Sequence, residues 1–277
     1  LSERTVRIVD ASDRELFFES YRIPAEDEIG TLLSEHSDAF IAALKSVVDG
    51  RMNSTTLNRL LLPARLSWRQ LQVLRAYIGY ARQIGTAFPP NLVQQVLHDQ
   101  PGLVRTLSDY FDARFYPHLE QEGDSFVTAD STRRKQRVES TRERFFEQLD
   151  SVSDAVEDKV LRMFYDLISA TTRTNYFQRP EEARAISFKF KCADLEMMAE
   201  PRPMHEIYVY DPRIEGVHLR GGAVARGGLR WSDRVDDYRT EVLGLMMTQM
   251  VKNTVIVPVG SKGGFVLKEF TLDDRER

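Results

Sequence analysis

The sequence predicts an α+β fold, a mainly helical amino-terminal segment followed by an α/β segment, and three observations carry that prediction. From about residue 31 to about residue 174, apolar residues recur at helical spacing between capping residues. Near residue 185 the period changes to two: Ile186, Phe188, Phe190 and Cys192 alternate with Ser187, Lys189 and Lys191. Glycine usage changes with it, since nine of the fifteen glycines lie between Gly216 and Gly264. The expected organisation is a short β-rich stretch over 1–30, a helical domain over 31–185 and an α/β domain over 186–277.

Each element has a local reason. Thr5–Val9 and Leu16–Ile23 are β-rich runs split by Asp10 to Arg14, which suggests a hairpin, either the tail of an upstream domain or an added edge. Ser37 is placed to cap a helix with Phe40, Leu44, Val47 and Val48 on one face and Gly50 at its close. Ser67 with Gln70 forms a capping-box signature, ahead of a stripe of Leu71, Leu74, Ile78 and Ala81 and a stop at Gly85. Pro89-Pro90 opens a helix through Val96, and another covers Leu103 to Phe115. Glu120 to Ser131 reads as a polar loop. The basic run Arg133 to Arg137 then starts a long helix with Val138, Phe145 and Leu149 inward, its charge offset by Glu139, Glu143 and Glu147 through i,i+4 pairs. Asp154 to Thr174 reads as one more helix, around Leu161, Phe164, Tyr165 and Ile168. Strands follow at His205–Asp211 and Val217–Arg220, joined at Asp211-Pro212. A helix over Asp237–Asn253 presents Val242, Met246, Met247 and Met250, and Val255-Ile256-Val257 is a buried strand by composition.

Composition narrows the class. The chain has 277 residues, 42% hydrophobic and 29% charged, typical of a soluble globular protein. A net charge of −4 gives no overall pull toward nucleic acid, so local basic clusters are sites or solvated faces. Cys192 is the sole cysteine, which suits a reducing compartment such as the cytoplasm and a small buried side chain rather than a nucleophile. No apolar run approaches the roughly 20 residues that span a bilayer, so no membrane role is expected. The chain starts at Leu1 without a leader pattern and stops at Arg277 in a charged stretch, and both ends read as cuts through a larger polypeptide.

The chemistry concentrates between residues 226 and 264. Arg226-Gly227-Gly228-Leu229-Arg230 is followed by Gln249 and Lys252, three apart on one helix face, and by Gly260-Ser261-Lys262-Gly263-Gly264. Glycines let backbone approach a ligand, and converging cations suit a substrate with two carboxylates. Lys262 sits in a glycine-lined turn. With burial and neighbouring Arg226, Arg230 and Lys252, its amine would be pushed toward neutrality and could serve as a general base; alternatively it is an exposed turn lysine. Neither a phosphate-cradling G-x-x-x-x-G-K-[ST] nor a G-x-G-x-x-G dinucleotide fingerprint occurs. The histidines (His36, His98, His118, His205 and His218) form no metal-spaced pair, and no metal is expected.

The stretch from Ala225 to Arg234, then Tyr238 to Met246, then Val251 to Val266, closely resembles the large bacterial NAD-dependent glutamate dehydrogenases across residues 216–268. The smaller glutamate dehydrogenases carry the same order: K-G-G-x-R, then Q-x-x-K, then a glycine-rich turn with K-G-G. The resemblance implies a partial substrate domain with a mixed sheet. It implies that Arg226, with Gly227 and Gly228, holds one substrate carboxylate and that Gln249 and Lys252 complete a dicarboxylate site. Lys262 would be the catalytic lysine, assisting water addition to and loss from the iminium formed as hydride passes to the nicotinamide. Arg226 departs from the lysine of the smaller enzymes, which keeps charge and adds a bidentate fork. The helix is also slightly longer here, and the loop before Lys262 slightly shorter. L-glutamate and 2-oxoglutarate are the implied ligands, NAD the implied cofactor, bound by a downstream domain together with the catalytic aspartate, and a homo-oligomer the implied assembly. The chain by itself is expected to be inactive. Two other readings stand beside this one: a helical assembly or regulatory scaffold with a non-catalytic dicarboxylate site, and an anion-binding module without catalysis.

Overall fold

Capping residues set the helices of the amino-terminal half, and an aromatic layer fastens them to a sheet. The computed structural model describes residues 2–9, 15–22, 27–117, 119–122, 125–128, 131–178, 185–223, 227–252 and 260–268. In chain order these form β1 (Ser2–Val9), β2 (Glu15–Arg22), α1 (Asp27–Glu35), α2 (Ser37–Val48), a 3-10 turn at Thr56–Leu60, α3 (Trp68–Gln83), α4 (Pro90–Asp99) and α5 (Pro101–Phe115). There follow β3 (Leu119–Glu122), β4 (Ser125–Thr128), α6 (Ser131–Leu149), α7 (Ala155–Ala170), β5 (Thr171–Thr174), β6 (Ile186–Lys191), β7 (His205–Asp211), β8 (Ile214–Arg220), β9 (Leu229–Trp231), α8 (Tyr238–Lys252) and β10 (Ser261–Leu267).

The local signals account for most starts and stops. Ser67 and Gln70 close the reciprocal capping box of α3, and Gly85 ends it at φ +76°, in the left-handed region that glycine reaches without strain. Pro90 and Pro101 occupy the first turns of α4 and α5, where no amide hydrogen is needed. The Asp154 carboxylate accepts from the amides of Val156 and Glu157 and starts α7.

Among the described residues six strands make a mixed sheet in the order β5-β6-β7-β8-β10-β9, antiparallel except for the parallel pair β9 and β10. Directly opposed residues share a face, so three rows run across it: Phe190, Glu206, Leu219 and Lys262; Phe188, Tyr208, Val217 and Gly264; Ile186, Tyr210, Glu215 and Val266. Helix α3 lies on these rows. Tyr77 stacks on Phe188 with centroids 4.4 Å apart, and Tyr80 stacks on Phe190 at 4.1 Å. Such pairs add roughly 0.5–1.5 kcal/mol beyond their buried area. A single apolar core continues from these rings into Phe111, Phe145, Leu161 and Phe164 of α5, α6 and α7 and into Val242 and Met246 of α8.

Several expectations need correction. Helix α2 is entered at His36, not capped by Ser37. Its buried positions are Ala43 and Ser46, while Leu44 and Val48 are exposed, because only one narrow stripe meets the core. The polar stretch after Glu120 is not a plain loop; β3 and β4 pair antiparallel within it. Helix α7 ends at Ala170, and Thr171–Thr174 instead forms the outer strand of the sheet, ahead of the change of period at 185. On α6 the acidic series makes an ion pair three residues apart, Arg142 to Glu139 at 2.7 Å, and Arg144 reaches across to Asp109 at 2.8 Å. The strand expected at Val255-Ile256-Val257 lies outside the described residues.

Candidate functional site

Strand β9, helix α8 and strand β10 form a crossover whose two parallel strands are neighbours, and the expected site residues hang on this unit. Lys262 is the second residue of β10, opposite Leu219, so it belongs to a strand and not to a turn. Alternation puts it on the face of Gly264 and Val266, and that face is the one α8 covers. A Cβ at Gly264 would sit 2.3 Å from Val242 Cγ2, and one at Gly260 would sit 3.0 Å from the Met246 carbonyl oxygen and 3.0 Å from Met250 Cγ. Lys262 stands between these two contacts, half-buried. Missing side chains on either side of it let the helix lie close to the strand.

The first glycine bend docks on the same place. A Cβ at Gly227 would be 1.8 Å from the Ser261 carbonyl oxygen, and the Gly263 amide donates to the Gly228 carbonyl at 3.2 Å. A third bend joins them, where the Gly221 amide donates to the Gly260 carbonyl at 2.9 Å and Met250 Sδ fills the space above Gly221. Ser261 is fully buried, and its hydroxyl finds no hydrogen-bond partner among the described residues. Gln249, half-buried, shares the last turns of α8 with Met246 and Met250, which meet Gly260. Among the expected site residues, then, Gly227, Gly228, Gln249 and Lys262 belong to segments that converge. Arg226 and the side chain of Lys252 lie outside the described residues.

Charges near this unit are largely committed. Arg230 was expected to act on Lys262, but it is exposed and donates to Glu241 at 2.5 Å, while the Ser232 hydroxyl donates to the other oxygen of that carboxylate at 2.7 Å. These bonds, the serine's first, hold the Glu241 carboxyl below the usual range. Arg239, at the start of α8, makes two 2.8 Å bonds to Glu206 of β7, and both side chains are buried. Burial pushes the Glu206 carboxyl up despite the guanidinium, whereas the carboxylate outweighs burial on Arg239 and raises it. Sequence patterning missed this pair, because Arg239 looks like any polar residue of a helical first turn. Its only signal is the polar Glu206 in a strand position whose neighbours Tyr208 and Tyr210 face inward. His218 opposes Gly263 on the other side of the sheet, where burial and then Arg220 pull its imidazole below the ordinary value. Cys192 is buried, and burial, then Glu206, pushes its thiol up to about 12, which rules out a ready thiolate.

The crossover itself does not fit a dinucleotide. Its β9-to-α8 turn, Ser232 to Asp237, contains Asp233, Asp236 and Asp237 and no glycine, a poor seat for a pyrophosphate at a helix start. Among the described residues no group of three or more histidine, cysteine, aspartate or glutamate side chains could hold a metal ion, and no helix is long and apolar enough to cross a membrane.

Two family models match the chain: the catalytic domain of bacterial NAD-glutamate dehydrogenase over residues 144–277, and helical motif 3 of glutamate dehydrogenase over residues 52–117. Curated relatives named NAD-specific glutamate dehydrogenase include those of Halomonas elongata, 40% identical across 94% of this chain, and Pseudomonas aeruginosa, 39% identical across 98%. The namesake from Mycobacterium tuberculosis is 42% identical across 83% of the chain. The chain spans only 16%, 16% and 14% of these three relatives, respectively.

Proposed function

Because the chain belongs to the bacterial NAD-glutamate dehydrogenase family, we propose that it supplies substrate-binding and acid–base residues to an enzyme of that activity. The reaction is the oxidative deamination of L-glutamate to 2-oxoglutarate and ammonia, with hydride passing to NAD. The observation that carries the proposal is the docking of the Gly227-Gly228 bend on Ser261 to Gly263, beside the last turns of α8. It supports a shared cradle for one small diacid, with close backbone at its floor.

In this reading the guanidinium of Arg226 takes one carboxylate through a bidentate fork, and Gln249 and Lys252 take the other. Lys262 presents its amine from beneath α8 and moves a proton at the substrate's α-carbon substituents as water adds and ammonia leaves. Burial of the strand around it, with Ser261, Gly263 and Gly264 all buried, limits water to the substrate side. NAD is assigned to residues other than the β9–α8 turn, whose acidic side chains disfavour it, and a homo-oligomer is the assembly proposed for the whole enzyme.

The test is Lys262→Ala in the full-length protein, with glutamate-dependent NADH formation as the readout. A turnover loss of at least about 100-fold is expected, the scale of a positioned acid–base group. An unchanged turnover number excludes the role. The 277-residue chain on its own is proposed to be inactive, and NADH production by it in the presence of glutamate refutes that.

A further inference from the structure

At the opposite end of β10 from Lys262 lies a second polar site. Lys268 lies six positions after Lys262, about 20 Å along an extended strand. There a cavity of about 290 Å³ opens between α3, the segment entering the 3-10 turn, the start of α4 and the sheet end formed by Tyr210, Glu215 and Lys268. That is several times the roughly 30 Å³ share of one water.

Its charges do not balance. Among the described residues Arg75, Arg82 and Lys268 line it, and Glu215 is the one carboxylate that does. Glu215 is 4% exposed and is shared: Lys268 Nζ donates to it at 3.2 Å, and Arg82 stands 3.5 Å away. Among the described residues Arg82 otherwise approaches only Asp236, at 3.6 Å, whose side chain is 94% exposed, and its Nε is buried there without a partner. Arg75, 8% exposed, is held by neutral acceptors, the Asn53 carbonyl at 2.9 Å, the Thr55 hydroxyl at 2.8 Å and the Asn58 amide oxygen, and its Nε is likewise buried and unpartnered. Burial pulls both Arg75 and Lys268 below their ordinary values, in Lys268 against the opposing pull of Glu215 and Asp211. Arg75 and Arg82 are two helical turns apart on one face of α3, and Gly79 between them lets the sheet come close; a Cβ there would lie 2.4 Å from the Tyr208 hydroxyl.

We propose that this cavity is a binding site for a phosphate group, either the free ion or the phosphate of a small organic phosphate, separate from the dicarboxylate site at Lys262. The lining carries two more positive charges than negative ones, and a phosphate concentrates about −1.5 to −2 charge with three or more acceptor oxygens in one group near neutral pH. A single carboxylate would leave one of these two charges over. Arg82 provides the fork, Lys268 the remaining ammonium hydrogens, and Glu215 keeps both in place while competing with the ligand.

The test is isothermal titration of the 277-residue chain with inorganic phosphate at pH 7.5, with sodium chloride holding ionic strength constant. Saturable binding is expected, weakened at least tenfold by Arg82→Gln and by Lys268→Met. Glu215→Gln removes the competing charge and is expected to bind phosphate several-fold more tightly, an effect that mere loosening of the fold does not produce. Adenosine monophosphate binding more tightly than phosphate assigns the site to an organic phosphate; equal affinity assigns it to the free ion. No saturable binding, undiminished binding by folded Arg82→Gln and Lys268→Met, weaker binding by Glu215→Gln, or tighter binding of succinate than of phosphate each overturns the proposal. None of these outcomes depends on dehydrogenase activity.

Discussion

Gly227 and Gly228 are adjacent, yet replacing each with alanine should have very unequal consequences. A Cβ at Gly227 would be 1.8 Å from the Ser261 carbonyl oxygen and 2.8 Å from its carbonyl carbon, where real contacts keep at least 3.0 Å. The obstacle is backbone, so no rotamer change relieves it, and the two segments must part by about 1.2 Å. That separation stretches the 3.2 Å bond from the Gly263 amide to the Gly228 carbonyl past hydrogen-bonding range. Overpacking of this kind costs about 1–3 kcal/mol and a lost hydrogen bond about 0.5–1.5, so the chain should lose roughly 2–4 kcal/mol. At Gly228 a Cβ meets nothing within 4 Å, and alanine there should stay within about 0.5 kcal/mol of wild type. Urea denaturation of the two variants, followed by circular dichroism, measures the difference directly. In the full-length protein a displacement of about 1 Å beside Lys262 should also lower turnover by about 100-fold for Gly227→Ala alone. Equal unfolding midpoints for the two variants would refute the docking geometry, and so would a more severe effect at Gly228.

Three further expectations rest on other parts of the molecule. Arg239→Met strands the fully buried Glu206 carboxylate and should cost about 3–5 kcal/mol in urea unfolding, whereas the double change Glu206→Leu with Arg239→Met should recover most of it; a single-variant loss below about 1 kcal/mol contradicts the pairing seen at 2.8 Å. Asp112 has its carboxyl raised to about 6, by burial against the opposing bond from Gln70. The folded state then holds a proton the unfolded chain has released, so stability should fall as pH rises from about 4 to about 6, by roughly 3 kcal/mol. Asp112→Asn should remove that slope and gain stability at pH 7.5, and urea midpoints against pH that keep the slope in the variant count against the assignment. Gly264→Ala drives a methyl to 2.3 Å from Val242 Cγ2 and should lower the melting temperature. Adding Val242→Ala should restore part of the loss, and no restoration would mean that α8 does not rest on this glycine.

The elements that local chemistry controls were legible. The capping box at Ser67, the stop at Gly85 and the alternation from Ile186 all depend on residues within a few positions of one another, and all three stand in the structure. The misreadings have a common cause in pairing from afar. Thr171–Thr174 continues the apolar spacing of α7, yet becomes a strand because Phe188 and Phe190 offer it a partner edge. Leu44 and Val48 have the right period and type for burial, but α2 sits at the margin of the core and meets it along Ala43 and Ser46. Lys262 reads as a turn residue beside three glycines. It is a strand residue because β8 runs antiparallel to it from Arg220 to Ile214.

The same distinction explains why the close backbone approach was legible while the charges around it were not. The density of glycines from 216 to 264 announces close backbone approach, and the structure supplies an opposing atom for Gly221, Gly227, Gly260, Gly263 and Gly264. It supplies none for Gly228 or Gly244. Composition therefore flags the region but cannot say which glycine is required, since that depends on which distant segment arrives. Charge follows the same logic. Arg230 has the sequence position of a site cation, and only the fold of the β9-to-α8 turn brings Glu241 to neutralise it. Arg75 and Arg82 look like ordinary polar residues of an amphipathic helix, and only the arrival of Lys268 from the far end of β10 makes them a cationic cavity. A motif read from sequence thus locates backbone; the charge that a ligand would feel is decided by long-range pairing.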